Sequence, residues 1–105
     1  MSVDVTEQTF ETEVLGVEVP VLVDFGAKWC GPCRKLSPVL DEIEITLANK
    51  VKVVKVDADE NRGLMQQYSV SGLPSLLVFK NGEPVERMAG LVPKSTIISN
   101  VEKYL

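Results

Sequence analysis

The sequence predicts an α/β domain: a central mixed five-stranded sheet flanked by four helices. Three observations carry this. Segments with the two-residue period of strands alternate with segments at helical spacing, in the order β-α-β-α-β-α-β-β-α. Strands joined through helices pair in parallel, whereas Asn81-Gly82 joins two apolar runs as a tight hairpin and so adds an antiparallel pair. The run Val21-Leu22-Val23-Asp24-Phe25 is apolar on both faces apart from Asp24, the pattern of a central strand covered on both sides.

Each element has its own justification. Val3–Val5 is a short strand candidate. Phe10, Val14 and Leu15 follow at helical spacing, with Thr6 or Thr9 as the candidate cap. Pro20 precedes the central strand. Leu36, Val39, Leu40, Ile43 and Leu47 recur on one helical face, so a long amphipathic helix is expected from Cys33 to about Ala48. Pro38 lies inside it and predicts a kink, and Asn49 suits a left-handed stop. Val51–Val56 is the next strand. Asp57 or Asp59 could cap a short helix through Leu64 and Tyr68, weakened by Gly63. Leu76–Phe79 and Val85–Ala89 form the hairpin strands, and Lys94–Leu105 closes the chain as a helix.

The chain has 105 residues, 45% of them hydrophobic and 25% charged, which fits one domain over 1–105 with no internal repeat or linker. A core of this size forms without disulfide staples or a structural metal, so both cysteines are free to be reactive. The net charge is −4 and the basic residues are scattered, so no nucleic-acid partner is expected. No apolar run approaches the roughly 20 residues of a membrane span. The opening Met1–Glu7 is acidic and too polar for a signal peptide, so a cytoplasmic protein that uses free thiols is expected.

Trp29-Cys30-Gly31-Pro32-Cys33 lies where the central strand hands over to the long helix. The first turn of a helix offers unpaired backbone N–H groups and the positive end of the macrodipole. Both stabilise a thiolate, the species that attacks a disulfide. Cys30, at or before that turn and the more exposed of the two, is the candidate nucleophile. Cys33 follows about one turn deeper and can reach back to it. Pro32 suits a first turn because it brings no N–H, and Gly31 leaves the approach to Cys30 open. A zinc site competes for any C-x-x-C pair, but zinc takes four ligands, and the chain has two Cys and no His. An inert buried pair is the other reading.

The segment Phe25-Gly26-Ala27-Lys28-Trp29-Cys30-Gly31-Pro32-Cys33 resembles the active-site segment of the thioredoxin family. The resemblance extends over essentially the whole chain, through Asp24, Lys55, Leu73-Pro74-Ser75, Phe79-Lys80-Asn81-Gly82 and Gly90. It implies the thioredoxin fold and a thiol–disulfide oxidoreductase that reduces protein disulfides. The redox group is then a Cys30–Cys33 disulfide, with no bound cofactor and no metal. The implied partners are a thioredoxin reductase, which draws electrons from NADPH through a flavin, and disulfide-containing client proteins. The chain itself, expected to be monomeric, has no G-x-G-x-x-G loop for a nucleotide.

The supporting residues carry two readings each. Asp24 in an apolar strand is costly if ionised and unpaired. It could form a structural ion pair with Lys55, or both could face solvent. The resemblance instead implies a buried acid that moves the Cys33 proton, with Lys55 modulating it. Pro74 could be a strand-entry proline. The resemblance implies a cis proline against the disulfide, leaving the Leu73 backbone free to pair with an extended substrate. Trp29, Gly31, Pro32, Gly72, Leu73, Pro74 and Gly90 would then form a weakly charged docking surface. The alternatives are core packing for Trp29 and turn geometry for Gly72 and Gly90.

Three positions depart from the commonest family pattern. Gly26 stands where many members carry an aromatic, Lys28 where an acid is frequent, and Ser75 where Thr is usual. The space left at Gly26 is either open or filled by Trp29 or a residue near Asp59. Two other functions compete with disulfide reduction. An oxidase or isomerase of the same fold is disfavoured by Gly-Pro between the cysteines. A redox-independent binding scaffold would use the surface around Trp29 and Pro74.

Overall fold

The computed structural model describes residues 3–105. Among the described residues, one five-stranded mixed sheet runs in the order β1-β3-β2-β4-β5. The strands are β1 (Val3–Asp4), β2 (Val21–Gly26), β3 (Lys52–Asp57), β4 (Ser75–Lys80) and β5 (Glu83–Ala89). β3 pairs in parallel with both β1 and β2, while β4 is antiparallel to β2 and β5. β2 is the middle strand, and its first five residues are all buried. The unbroken apolar run in the sequence has this cause: a central strand must present apolar side chains to both covering layers.

Alternation along β2 sorts its side chains between two cores. Val21, Val23 and Phe25 join Val54, Val56, Leu77 and Phe79 on one face, closed by Phe10, Val14 and Leu64. Leu22, with Val53, Leu76 and Val78, faces the other way and meets Leu36, Leu40, Ile43, Ile97 and Val101. These last residues belong to α1 (Gly31–Thr46) and α3 (Lys94–Glu102), and Leu64 belongs to α2 (Arg62–Gln67). Period-two alternation then assigns Asp24 and Gly26 to the face covered by α1.

Several local expectations need correction. The segment around Val14 is a π-helix over Glu11–Leu15, closed by Gly16 N–H donating to the Glu11 carbonyl at 2.8 Å. Apolar residues at 10, 14 and 15 fit a five-residue loop as well as a four-residue one. No Thr caps this turn: the Thr9 hydroxyl accepts from the Thr6 amide at 2.9 Å instead. α1 starts at Gly31, two residues before the expected Cys33, and ends at Thr46. Pro38 lies inside it, as expected. Neither Asp57 nor Asp59 caps α2: the Asp57 carboxylate accepts from the Asp59 and Glu60 amides, ahead of the helix. Its cap position is Asn61, with no side-chain cap bond. α3 ends at Glu102, three residues short of the predicted terminus, and the chain finishes as a turn.

Other expectations hold. Asn49, beyond the end of α1, has φ 68°. Asn81 and Gly82 have φ 54° and 80°, the paired left-handed conformation that a two-residue hairpin requires. No helix among the described residues is long and apolar enough to cross a membrane.

Candidate active site

Everything that converges on the cysteines lies at one end of the sheet, beyond the last residues of β2. The chain leaves β2 at Gly26, turns so that Cys30 N–H donates to the Ala27 carbonyl at 3.1 Å, and enters α1. Cys30 is the N-cap, in extended conformation, and its carbonyl accepts from the Arg34 amide at 3.2 Å. Its sulfur takes the role a Ser or Asp oxygen usually plays, accepting the Cys33 backbone N–H at 3.2 Å. Pro32 occupies the first turn, where no N–H is missed. The Arg34 guanidinium donates to the Lys28 carbonyl at 2.7 Å and closes the loop before the helix.

Cys30 and Cys33 are joined as a disulfide, with Cα atoms 5.2 Å apart. The expectation that Cys30 is the more exposed does not hold. Both are buried, at 5% and 8% exposure, so position on the helix and not access distinguishes them. Cys30 sits at the cap, where amide and dipole stabilise negative sulfur; Cys33 lies inside the first turn, against Gly26, and lines the same cleft as Asp24.

Asp24 and Lys55 are in direct register on neighbouring strands, so their side chains emerge on the same face. Asp4 is the next partner of Lys55 in that row. The Asp24 carboxyl is 5% exposed, and its Oδ1 has no hydrogen-bond partner. Burial pushes its pKa up from 3.8 to about 6, and the positive charge of Lys55 pulls weakly the other way. The alternative of a structural ion pair does not hold: among the described residues, no Lys55–Asp24 contact lies within ion-pair distance. The Lys55 ammonium instead donates to the Ser37 hydroxyl on α1.

A cleft of about 250 Å³ reaches this acid from outside, lined by Asp24, Gly26, Lys28, Cys33, Ser37 and Lys55 among others. Gly26 forms part of its wall: a Cβ built there would lie 3.4 Å from both Cβ and Sγ of Cys33. Trp29 does not fill the space. Its indole N–H donates to the Asp59 carboxylate at 2.8 Å, and the residue remains 68% exposed. That excludes core packing for Trp29.

The other predicted surface residues gather at the same end. Phe25 pairs with Ser75, so the preceding Pro74 lies beyond the last pair of β2 and β4, beside Gly26. Pro74 is buried, and the Leu73–Pro74 bond is cis. The Gly90 amide donates to the Pro74 carbonyl at 2.9 Å, and the Ser75 hydroxyl donates to the Gly72 carbonyl at 2.7 Å. Gly31, Gly72 and Gly90 each have open space where a side chain would stand. Gly90 also has φ 80°, so turn geometry is part of its role.

Sequence reasoning missed three contributors. Ser37 follows Cys33 by four residues on the same helix face, a signal present in the spacing. Leu91, 51% exposed, extends the apolar surface next to Gly90. Asn61 is buried, and its side chain ties the loop after β3 to the N-terminal segment. No cluster of three or more His, Cys, Asp or Glu side chains among the described residues could hold a metal ion.

Comparison with known proteins matches this geometry. The family model described as Thioredoxin matches residues 1–103. The chain is 50% identical over 101 residues to thioredoxin 1 of Nostoc sp., covering 96% of this chain and 94% of that protein. Thioredoxin of Synechocystis sp. is likewise 50% identical over 101 residues, with 96% and 94% covered. Chloroplastic M-type thioredoxin of Spinacia oleracea is 46% identical over 102 residues, covering 97% of this chain and 56% of that longer protein.

Proposed function

Since the chain belongs to the thioredoxin family and is a thiol–disulfide oxidoreductase, we propose that it works as a reductant of protein disulfides. In this reading a separate reductase, the thioredoxin reductase of its cell, recharges it. The observation that carries the proposal is the Cys33 amide bonded to the Cys30 sulfur at the N-cap of α1. A sulfur held there is stabilised as a thiolate once the disulfide is reduced.

In the first step, the Cys30 thiolate attacks one sulfur of a client disulfide. A Cys30–client bond forms, the client S–S bond breaks, and the electron pair leaves on the second client sulfur. In the second step, Cys33 gives its proton to the Asp24 carboxylate and attacks the Cys30 sulfur. The Cys30–Cys33 bond forms, the client leaves as its second thiolate, and two electrons have passed to the client. Asp24 suits that transfer because its pKa, about 6, lies nearer a thiol than an ordinary carboxylate does. Lys55 acts on Asp24 through its charge.

Clients dock, in this reading, on the surface formed by Trp29, Gly31, Pro32, Gly72, Leu73 and Gly90 around the buried Pro74. An extended client segment pairs with the backbone of Leu73, next to the disulfide. We place the protein in the cytoplasm as a monomer of one domain, on its thiol chemistry.

The test is reduction of insulin disulfides with dithiothreitol as electron source, for the parent protein and a Cys30→Ser variant. Precipitation of the insulin B chain in minutes with the parent, and none above background with the variant, supports disulfide reduction. Equal behaviour of the two proteins refutes it and leaves a redox-independent scaffold.

A further inference from the structure

Lys55 has two acceptors within its choice. In the sheet it stands beside Asp24; above the sheet it meets α1 at Ser37. The ammonium goes to Ser37, and the Asp24 Oδ1 is left without a partner although it is buried at the floor of a cleft.

The other groups that line the cleft with Asp24 or pair beside it do not explain that choice. From the loop after β2 comes Lys28, an exposed residue. From α1 come Cys33, in the disulfide, and Arg34, whose guanidinium is engaged by the Lys28 carbonyl. From β3 comes Asp57, whose carboxylate accepts two backbone amides, and from β1 comes Asp4. From β4 the in-register neighbour is the apolar Leu76. Lys55 is therefore the cation best placed to close on Asp24, and the hydroxyl on α1 is what holds it elsewhere.

We propose that Ser37 is a positioning residue: by taking the Lys55 ammonium onto α1, it keeps that cation off Asp24 and leaves the acid able to receive the Cys33 proton. A lysine drawn to ion-pair distance would hold the carboxylate charged and make it a poor acceptor for a thiol proton. Ser37 lies one helical turn beyond Cys33, so one helix face carries both the thiol and the group that regulates its proton partner. The inference rests on the reading of Asp24 as that proton partner.

The test is an NMR titration of the Asp24 side-chain carbonyl carbon in the full-length oxidised protein. The set comprises the parent, Ser37→Ala, Ser37→Thr, and Ser37→Ala combined with Lys55→Met. The parent should titrate near 6. Ser37→Ala should lower the midpoint by about one unit or more, as Lys55 turns to the carboxylate. Ser37→Thr keeps a hydroxyl and should restore the parent value. Adding Lys55→Met to Ser37→Ala should lift the midpoint back to the parent value or above. A parent-like midpoint in Ser37→Ala overturns the proposal, as does a fall that persists without Lys55. Turnover gives a second readout: the pH dependence of insulin reduction should move with the Asp24 midpoint, which a merely structural serine would not cause. The titration needs no client, so its failure is distinguishable from failure of the parent in the insulin assay.

Discussion

The backbone N–H of Cys33 donates to the sulfur of Cys30 at 3.2 Å, so the second cysteine of the pair caps its own helix through the first. On reduction, this amide and the helix dipole favour negative charge on Cys30. Iodoacetamide at neutral pH should therefore alkylate Cys30 well before Cys33, as read by peptide mass mapping. A Cys33→Ser variant should accumulate stable mixed disulfides with clients. Accumulation in Cys30→Ser instead would reverse the two roles.

Asp24 destabilises the fold at neutral pH. Its folded pKa of about 6 exceeds the ordinary 3.8, so the folded state binds the proton more tightly than the unfolded chain. Stability should then fall as pH rises from about 4 to about 6 and level off above, with about 3 kcal/mol lost in total. Asp24→Asn should remove that dependence, raise stability at pH 7 by an amount of this order, and slow turnover. Urea denaturation between pH 4 and 8 measures it. A pH profile identical in parent and variant would show that the carboxyl is not perturbed.

Gly26 is a test of whether the cleft is usable space. An added Cβ meets Cys33 at 3.4 Å, an ordinary contact. Gly26→Ala should fold and gain about 0.5–1 kcal/mol from reduced backbone freedom. Gly26→Trp should also fold, and its reactivity should change more toward protein disulfides than toward small ones. A loss of about 1–3 kcal/mol in Gly26→Trp would mean overpacking and would reject an open site.

Asn61 should matter more than its place in a loop suggests. Its Oδ1 accepts the Glu7 amide at 3.0 Å, and its Nδ2 donates to the Asp57 carbonyl at 2.9 Å. The Glu7 carboxylate in turn accepts the Gly63 amide at 2.7 Å. Asn61→Ala leaves two backbone groups without these partners and should cost about 1–3 kcal/mol by chemical denaturation. Asn61→Asp keeps the acceptor and should lose less. Equal losses in the two variants would place the effect elsewhere.

The sheet and the cysteine motif were legible because their determinants are local. The unbroken apolar run of β2 reflects covering on both faces, and Trp29–Cys33 occupies consecutive positions at a strand–helix junction. Asp24 stood out because a carboxylate among buried Val, Leu and Phe conflicts with its neighbours. What escaped depends on groups distant in sequence. The Lys55–Ser37 bond spans two elements, and nothing in either segment ranks Ser37 above Asp24 as a partner. Trp29 was expected on the docking surface, with core packing as the alternative, but its tether escaped: Asp59, thirty positions on, holds its indole. The π-helix escaped because its apolar positions satisfy two helical periods at once, and the Gly16–Glu11 hydrogen bond decides between them.

Trp29 is the chain's single tryptophan, it directly precedes Cys30, and its indole is both exposed and tethered. A disulfide quenches the emission of a nearby indole, whereas a dithiol quenches it less. The protein thus contains its own optical reporter: emission intensity should follow the oxidation state of the Cys30–Cys33 pair in real time, without dye or label. Cutting the tether with Asp59→Ala, which removes the acceptor, should alter the amplitude of that signal and leave its midpoint potential almost unchanged.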